Sequence, residues 1–134
     1  MLFKHIWERE ERFANAKLNS YGLTFTQSNA LEYIAACKGS ATQKDLEAHM
    51  QIQHSAVVGI VSRLESKGMI VAATSRKDKR QKLLFPTDTG LQILNDIHAD
   101  KERVEEALIQ GFSEEEAAQL QKLLARVYRN LAED

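Results

Sequence analysis

Apolar residues recur at helical spacing along most of the chain. Phe3, Ile6 and Trp7 open a first helix over roughly 2–19, continued by Phe13, Ala14 and Leu18. Tyr21-Gly22 interrupts it. Thr24 then starts a second helix, with Gln27 three residues on in a capping-box arrangement. Ala30, Leu31, Ile34, Ala35 and Cys37 give that helix its apolar face, and Gly39 is placed to end it. Thr42 with Asp45 forms a similar cap and opens a short helix that buries Leu46 and Met50. After Gln51-Ile52-Gln53, a fourth helix runs from about His54 to Lys67. Val57, Ile60, Val61 and Leu64 form its inner stripe, and Gly68 its stop.

The period then changes. Met69 to Thr74 and Lys82 to Phe85 are short apolar runs around the charged segment Ser75–Arg80, which reads as a β-hairpin. Pro86 stands where the second strand must stop, because it has no N–H for a ladder bond. Thr87 caps a fifth helix over about 88–110, carrying Leu91, Leu94, Ile97, Val104 and Leu108, and Gly111 breaks it. Ser113 and Glu116 form a capping box for a sixth helix over about 114–132. Its stripe is Leu120, Leu123, Leu124, Val127, Tyr128 and Leu131.

The fold class is mainly α with a small β-hairpin. A short helix, a tight turn, a second helix and a basic hairpin make a winged helix-turn-helix over about 24–90. The outer helices, about 2–19 and 88–132, carry long apolar stripes that so small a centre covers poorly. A second copy of the chain is the simplest partner for them.

Composition narrows the picture. The 134 residues are 43% hydrophobic and 28% charged, ordinary for a globular protein and too apolar for a disordered one. No apolar run is long enough for a membrane helix, and the charged N-terminus does not resemble a signal peptide. The lone cysteine, Cys37, excludes a disulfide framework, and a cytoplasmic location is expected. Net charge is −1, but the average hides an asymmetry. Residues 63–90 hold seven basic and three acidic side chains, while residues 91–134 hold five and ten. Such a chain suits a protein that turns one face toward a polyanion.

Candidate contacts follow from that face. Ser55, Gly59, Ser62, Arg63 and Ser66 lie opposite the inner stripe of the fourth helix. Small residues let a helix sink into a DNA major groove about 12 Å wide. Gln53, His54 and Ser55 at its start are placed for base edges. Gly59 admits two explanations, close approach to DNA or close approach to a neighbouring helix. In the hairpin, Arg76, Lys77, Lys79, Arg80 and Lys82 put five cations beside the single anion Asp78. Arg80 suits the minor groove, and Arg76, Lys77 and Lys79 suit the phosphates. Asp78 reads as a bracket that fixes the tip. Thr42, Gln43 and Lys44 are further phosphate candidates.

Four stretches in order, YGLTFTQSNALEYI, TQKDLEAHMQIQHSAVVGIVSRLESKGMI, Asp78-x-Arg80 and Thr87-x-x-Gly90, make the chain resemble the MarR family of winged-helix regulators. The resemblance implies a homodimeric DNA-binding transcriptional regulator of bacterial or archaeal type, usually a repressor. It is intertwined through its terminal helices and acts on a near-palindromic operator. It also implies release by a small lipophilic or phenolic effector, for which Trp7, Phe13 and Tyr21 are the pocket candidates. Trp7 and Phe13 suit the dimer core better than a pocket. Val58 and Gly59 stand where the family often has Thr and Arg, and Pro86 where Leu is usual.

Other chemistry finds little support. Cys37, on an apolar face, reads as a buried structural thiol. His5, His49, His54 and His98 form no metal-ligand set, so neither metal nor cofactor is expected. There is no G-x-S-x-G, phosphate loop or H-E-x-x-H, so an enzyme is not expected. The competing class is a winged-helix protein-interaction module without DNA, which has no need of five cations in its wing.

Overall fold

A computed structural model describes residues 1–132, and the chain divides into two compact units, Met1–His98 and Ala99–Asp134. The first holds α1 (Leu2–Ser20), α2 (Phe25–Ala36), β1 (Ala41–Thr42), α3 (Gln43–Met50), α4 (His54–Ser66), β2 (Ile70–Thr74), β3 (Lys82–Pro86) and the start of α5 (Asp88–Leu108). The second holds the end of α5 and α6 (Glu114–Asn130). No helix among the described residues is long and apolar enough to cross a membrane.

The local signals behave as their chemistry requires. Thr24, Thr42 and Ser113 each accept a hydrogen bond from the backbone N–H three residues on. Gln27, Asp45 and Glu116 reach back to the cap N–H groups, completing three capping boxes. In the last of these, bonding to Ser113 holds the Glu116 carboxyl below its ordinary range. Gly68 takes a positive φ of 71° after α4, and Met69 N–H closes back onto Leu64 O at 3.0 Å. That 6→1 bond ends the helix and aims the chain into β2.

The core of the first unit is the inner stripe of α4, Val57, Ile60, Val61 and Leu64, packed with Leu31, Ile34, Leu46, Ile70 and Leu84. Of the apolar positions predicted for helices two to four, Ala30, Leu31, Ile34, Leu46, Val57, Ile60, Val61 and Leu64 are buried there, while Ala35, Cys37 and Met50 are half-buried against them. Three details differ from expectation. The hairpin is part of a three-stranded antiparallel sheet of order β1-β3-β2, with Ala41 opposite Leu84 and Thr42 opposite Leu83. Pro86 is the last residue of β3, opposite Ile70, rather than the first residue beyond it. The second helix stops at Ala36, so Cys37 is a half-buried cap residue, and the turn passes through positive φ at both Lys38 and Gly39.

The base of the hairpin is tied to α4 and α5 at one point. Thr87 N–H donates to Met69 O at 3.0 Å, and its hydroxyl donates to Gly68 O at 2.6 Å while accepting from Gly90 N–H at 3.1 Å. Gly90 is what allows this approach. A Cβ there would overlap the Met69 carbonyl oxygen and lie 3.4 Å from Leu31 Cδ1. A backbone oxygen cannot rotate aside, so Gly90→Ala should lower stability by about 2 kcal/mol. Thermal melting checks this, and a variant that melts with the wild type would show that β2 shifts without cost.

Candidate nucleic-acid interface

The turn between α3 and α4 is built by backbone conformation. Gln51 adopts the left-handed region (φ 54°), and its N–H bonds to Glu47 O at 2.9 Å, which closes α3 and reverses the chain. Gln53 then serves as the α4 N-cap through its backbone alone, so its exposed side chain makes no cap hydrogen bond among the described residues. His54, the first residue of α4, has its Nδ1 against the Glu47 carboxylate of α3, and its side chain is 70% exposed. Ser55, Ser62, Arg63 and Ser66 are exposed on the face opposite the core stripe, and Ser66 Oγ donates to Arg63 O at 2.9 Å. Arg63 makes no ion pair among the described residues.

Gly59 lies in the middle of this face. A Cβ built there would meet nothing within 4 Å. The intrachain explanation, close packing against a neighbouring helix, therefore fails for the protomer. The absent side chain leaves open space at the half-buried Gly59 between Ser55 and Ser62, beside Val58, which is 40% exposed.

The hairpin tip is braced from within. Ser75 N–H donates to Gln81 O at 2.9 Å, and Gln81 N–H donates to Asp78 O at 3.0 Å. Asp78 Oδ1 accepts from Arg80 N–H at 3.0 Å and pairs with Arg80 Nε at 3.6 Å. The buried Ser75 hydroxyl accepts from Asp78 N–H at 3.4 Å. Asp78 is thus the bracket its spacing suggested. Arg76, Lys77, Lys79 and Lys82 are exposed and have no ion-pair partner among the described residues. The tip therefore carries a cationic potential that Asp78, paired only with Arg80, offsets in part. Lys67 differs: its ammonium donates to Gly22 O and, at 3.1 Å, to Gln27 Oε1, so this cation is committed to the fold.

The start of α3 is less open. The Thr42 hydroxyl is engaged by Asp45 N–H at 3.1 Å, Gln43 is half-buried, and Lys44 is exposed. Trp7 is 62% and Phe13 47% exposed on α1, while Tyr21 caps that helix and packs against the core. An open cleft of about 570 Å³ is lined by Asn29, Glu32, Tyr33, Ala36, His49 and Met50. There the Tyr33 and His49 rings stack at 4.1 Å. A hydrogen bond with Cys37 and burial raise the Tyr33 pKa above its ordinary value. No group of His, Cys, Asp and Glu suited to a metal ion occurs among the described residues.

The chain matches known proteins along most of its length. The model of the MarR family matches residues 21–81, from the end of α1 through the hairpin tip. A Thauera aromatica protein described as a transcriptional regulatory protein for the hcr operon is 33% identical over 122 residues, covering 91% of this chain and 73% of that one. The HTH-type transcriptional regulator MhqR of Bacillus subtilis is 27% identical over 116 residues, covering 87% and 79%. Among solved structures, Staphylococcus aureus MepR, a transcription regulator of the multidrug efflux pump MepA, superposes with a TM-score of 0.87 at 26% identity, covering 98% of this chain and 96% of that one. MepR in complex with DNA does so equally well, with 98% of each chain covered. By sequence, by the winged helix and by these likenesses, the chain belongs to the MarR family of transcriptional regulators.

Proposed function

We propose that the protein binds double-stranded DNA as a homodimer and represses transcription from a near-palindromic operator. The observation that carries this reading is the pairing of two surfaces in one unit. One is an α4 face left open at Gly59, and the other is a wing on which Arg76, Lys77, Lys79 and Lys82 lack ion-pair partners among the described residues. MepR has been seen bound to DNA with the same fold, which supports the direction of the inference. In this reading α4 lies in the major groove with Gln53, His54 and Ser55 at base edges. Arg80 enters the adjacent minor groove, and Arg76, Lys77, Lys79 and Lys44 meet phosphates. A protein-interaction wing gains nothing from uncompensated cations, which disfavours the competing class.

The dimer rests on a separate observation. On α1, Leu2, Phe3, Ile6, Trp7 and Phe13 are all substantially exposed. In the second unit Leu108, Ile109, Phe112, Leu123, Leu124, Val127, Tyr128 and Leu131 are exposed as well. Apolar surface of that extent is covered in a soluble protein, and a second copy supplies the covering face. Leu124→Glu combined with Val127→Glu should turn a dimer into a monomer in sedimentation and weaken operator binding. A wild type that sediments as a monomer would remove the dimer from the proposal.

Selection of duplexes from a random pool tests the whole. Two α4 helices related by a two-fold axis should enrich an inverted repeat with half-sites roughly 34 Å apart. Enrichment of no duplex would overturn it. Release by a small lipophilic effector completes the proposal. Loss of the gel shift on adding such compounds tests it.

A further inference from the structure

Resting on the placement of α4 in the major groove, we propose that Glu47 is a positioning residue for base selection: it sets the hydrogen-bonding character of the edge that His54 presents to DNA. Glu47 lies on α3, seven residues before His54, and reaches it across the helix-turn-helix reversal. The partner atom on the ring is Nδ1. Nε2 has no partner among the described residues, and the side chain stands largely in solvent at the first position of α4.

The chemistry follows from what a carboxylate can do. Ionised, it accepts and cannot donate. The ring nitrogen facing it must therefore carry the hydrogen, and in the neutral imidazole that leaves Nε2 with a lone pair. A lone pair selects donors. In the major groove the donors on base edges are adenine N6–H and cytosine N4–H, whereas guanine offers acceptors at N7 and O6. The contact should thus favour adenine or cytosine and disfavour guanine at one position in each half-site. Two further effects come from the same bond. The ring is held in one orientation before DNA arrives, and a tether from α3 fixes it relative to the helix axis.

Glu47→Gln is the informative variant, because an amide both donates and accepts. It keeps the size of the side chain and a bond to the ring, but it no longer dictates which nitrogen is protonated. The experiment is duplex selection at about pH 8, above the ordinary titration range of histidine, with four proteins: wild type, His54→Ala, Glu47→Gln and Glu47→Ala. Thermal melting confirms that each is folded. The position at which His54→Ala loses discrimination identifies the contact. There the wild type should prefer adenine or cytosine over guanine by about fivefold, the size of one hydrogen bond. Glu47→Gln should bind with near-normal affinity yet admit guanine, and Glu47→Ala should lose the preference altogether. The double variant Glu47→Ala, His54→Ala should discriminate no worse than His54→Ala alone, as it must if Glu47 acts through the ring.

A Glu47 with a merely structural role would weaken binding to every sequence equally and leave the preference in place. That result overturns the proposal, as does a wild-type preference for guanine, or a His54→Ala variant whose selected sequences match the wild type. A wild type that enriches no duplex overturns the placement of α4 as well, and is thereby distinguished from failure of the Glu47 role.

Discussion

Gly59→Leu should abolish sequence-specific duplex binding, by at least about 100-fold, in a protein that folds as well as the wild type or better. The magnitude is that of losing two good base contacts when a helix is held out of its groove. The sign on stability is opposite. A glycine within a helix costs roughly 1 kcal/mol relative to alanine, and a Cβ at this position meets no neighbour within 4 Å. Gly59→Ala should therefore raise stability by about that amount while weakening the operator complex more mildly. Raised melting temperature with lowered affinity is the signature of a residue kept small for something outside the protomer. Urea denaturation and a gel shift on the same preparations check both arms. If both variants bind like the wild type, α4 does not approach DNA at Gly59, and the contact must shift toward Gln53 and Ser55.

How far the sequence alone leads depends on how local the relevant chemistry is. The three capping boxes join residues three apart, and each formed as the spacing predicted. The α4 stripe was legible for the same reason, since a helix places positions 57, 60, 61 and 64 on one side by geometry alone. The Asp78 bracket needs only two residues of reach. β1 was not legible. Two residues carry no periodicity, and Ala41–Thr42 becomes a strand only because Leu83 and Leu84, some forty residues on, supply its partners. The bond between Glu47 and His54 depends on the angle of the α3–α4 reversal, and the bonds from Lys67 to Gly22 and Gln27 join α4 to the start of α2. Nothing in the local pattern distinguishes Lys67 from the free cations of the wing. The cleft lined by Tyr33 and His49 was not legible either, because their stacking joins α2 to α3 across sixteen residues of chain.

Arg80→Ala should lower operator affinity by about 60-fold at roughly 0.1 M salt, with the difference shrinking toward about 1 M. Each cation that displaces counterions from duplex DNA contributes about 0.9 to the slope of log affinity against log salt. A dimer carries two copies of Arg80, so the slope should become shallower by about 1.8, which is the 60-fold at a tenth of molar. Arg80 is suited to this role because its side chain is 94% exposed and its planar fork fits a narrow, strongly negative groove. Asp78 separates the steering of the tip from its charge. Asp78→Ala removes an anion but also the acceptor for Arg80 N–H, so the tip gains positive potential and loses its brace. Affinity for random duplex should rise while preference for the operator over random duplex falls. Fluorescence anisotropy titrations at several salt concentrations, on operator and random duplexes in parallel, measure both quantities. Equal slopes for wild type and Arg80→Ala would place Arg80 away from the nucleic acid, and would leave Lys77 and Lys79 as the cations that carry the wing.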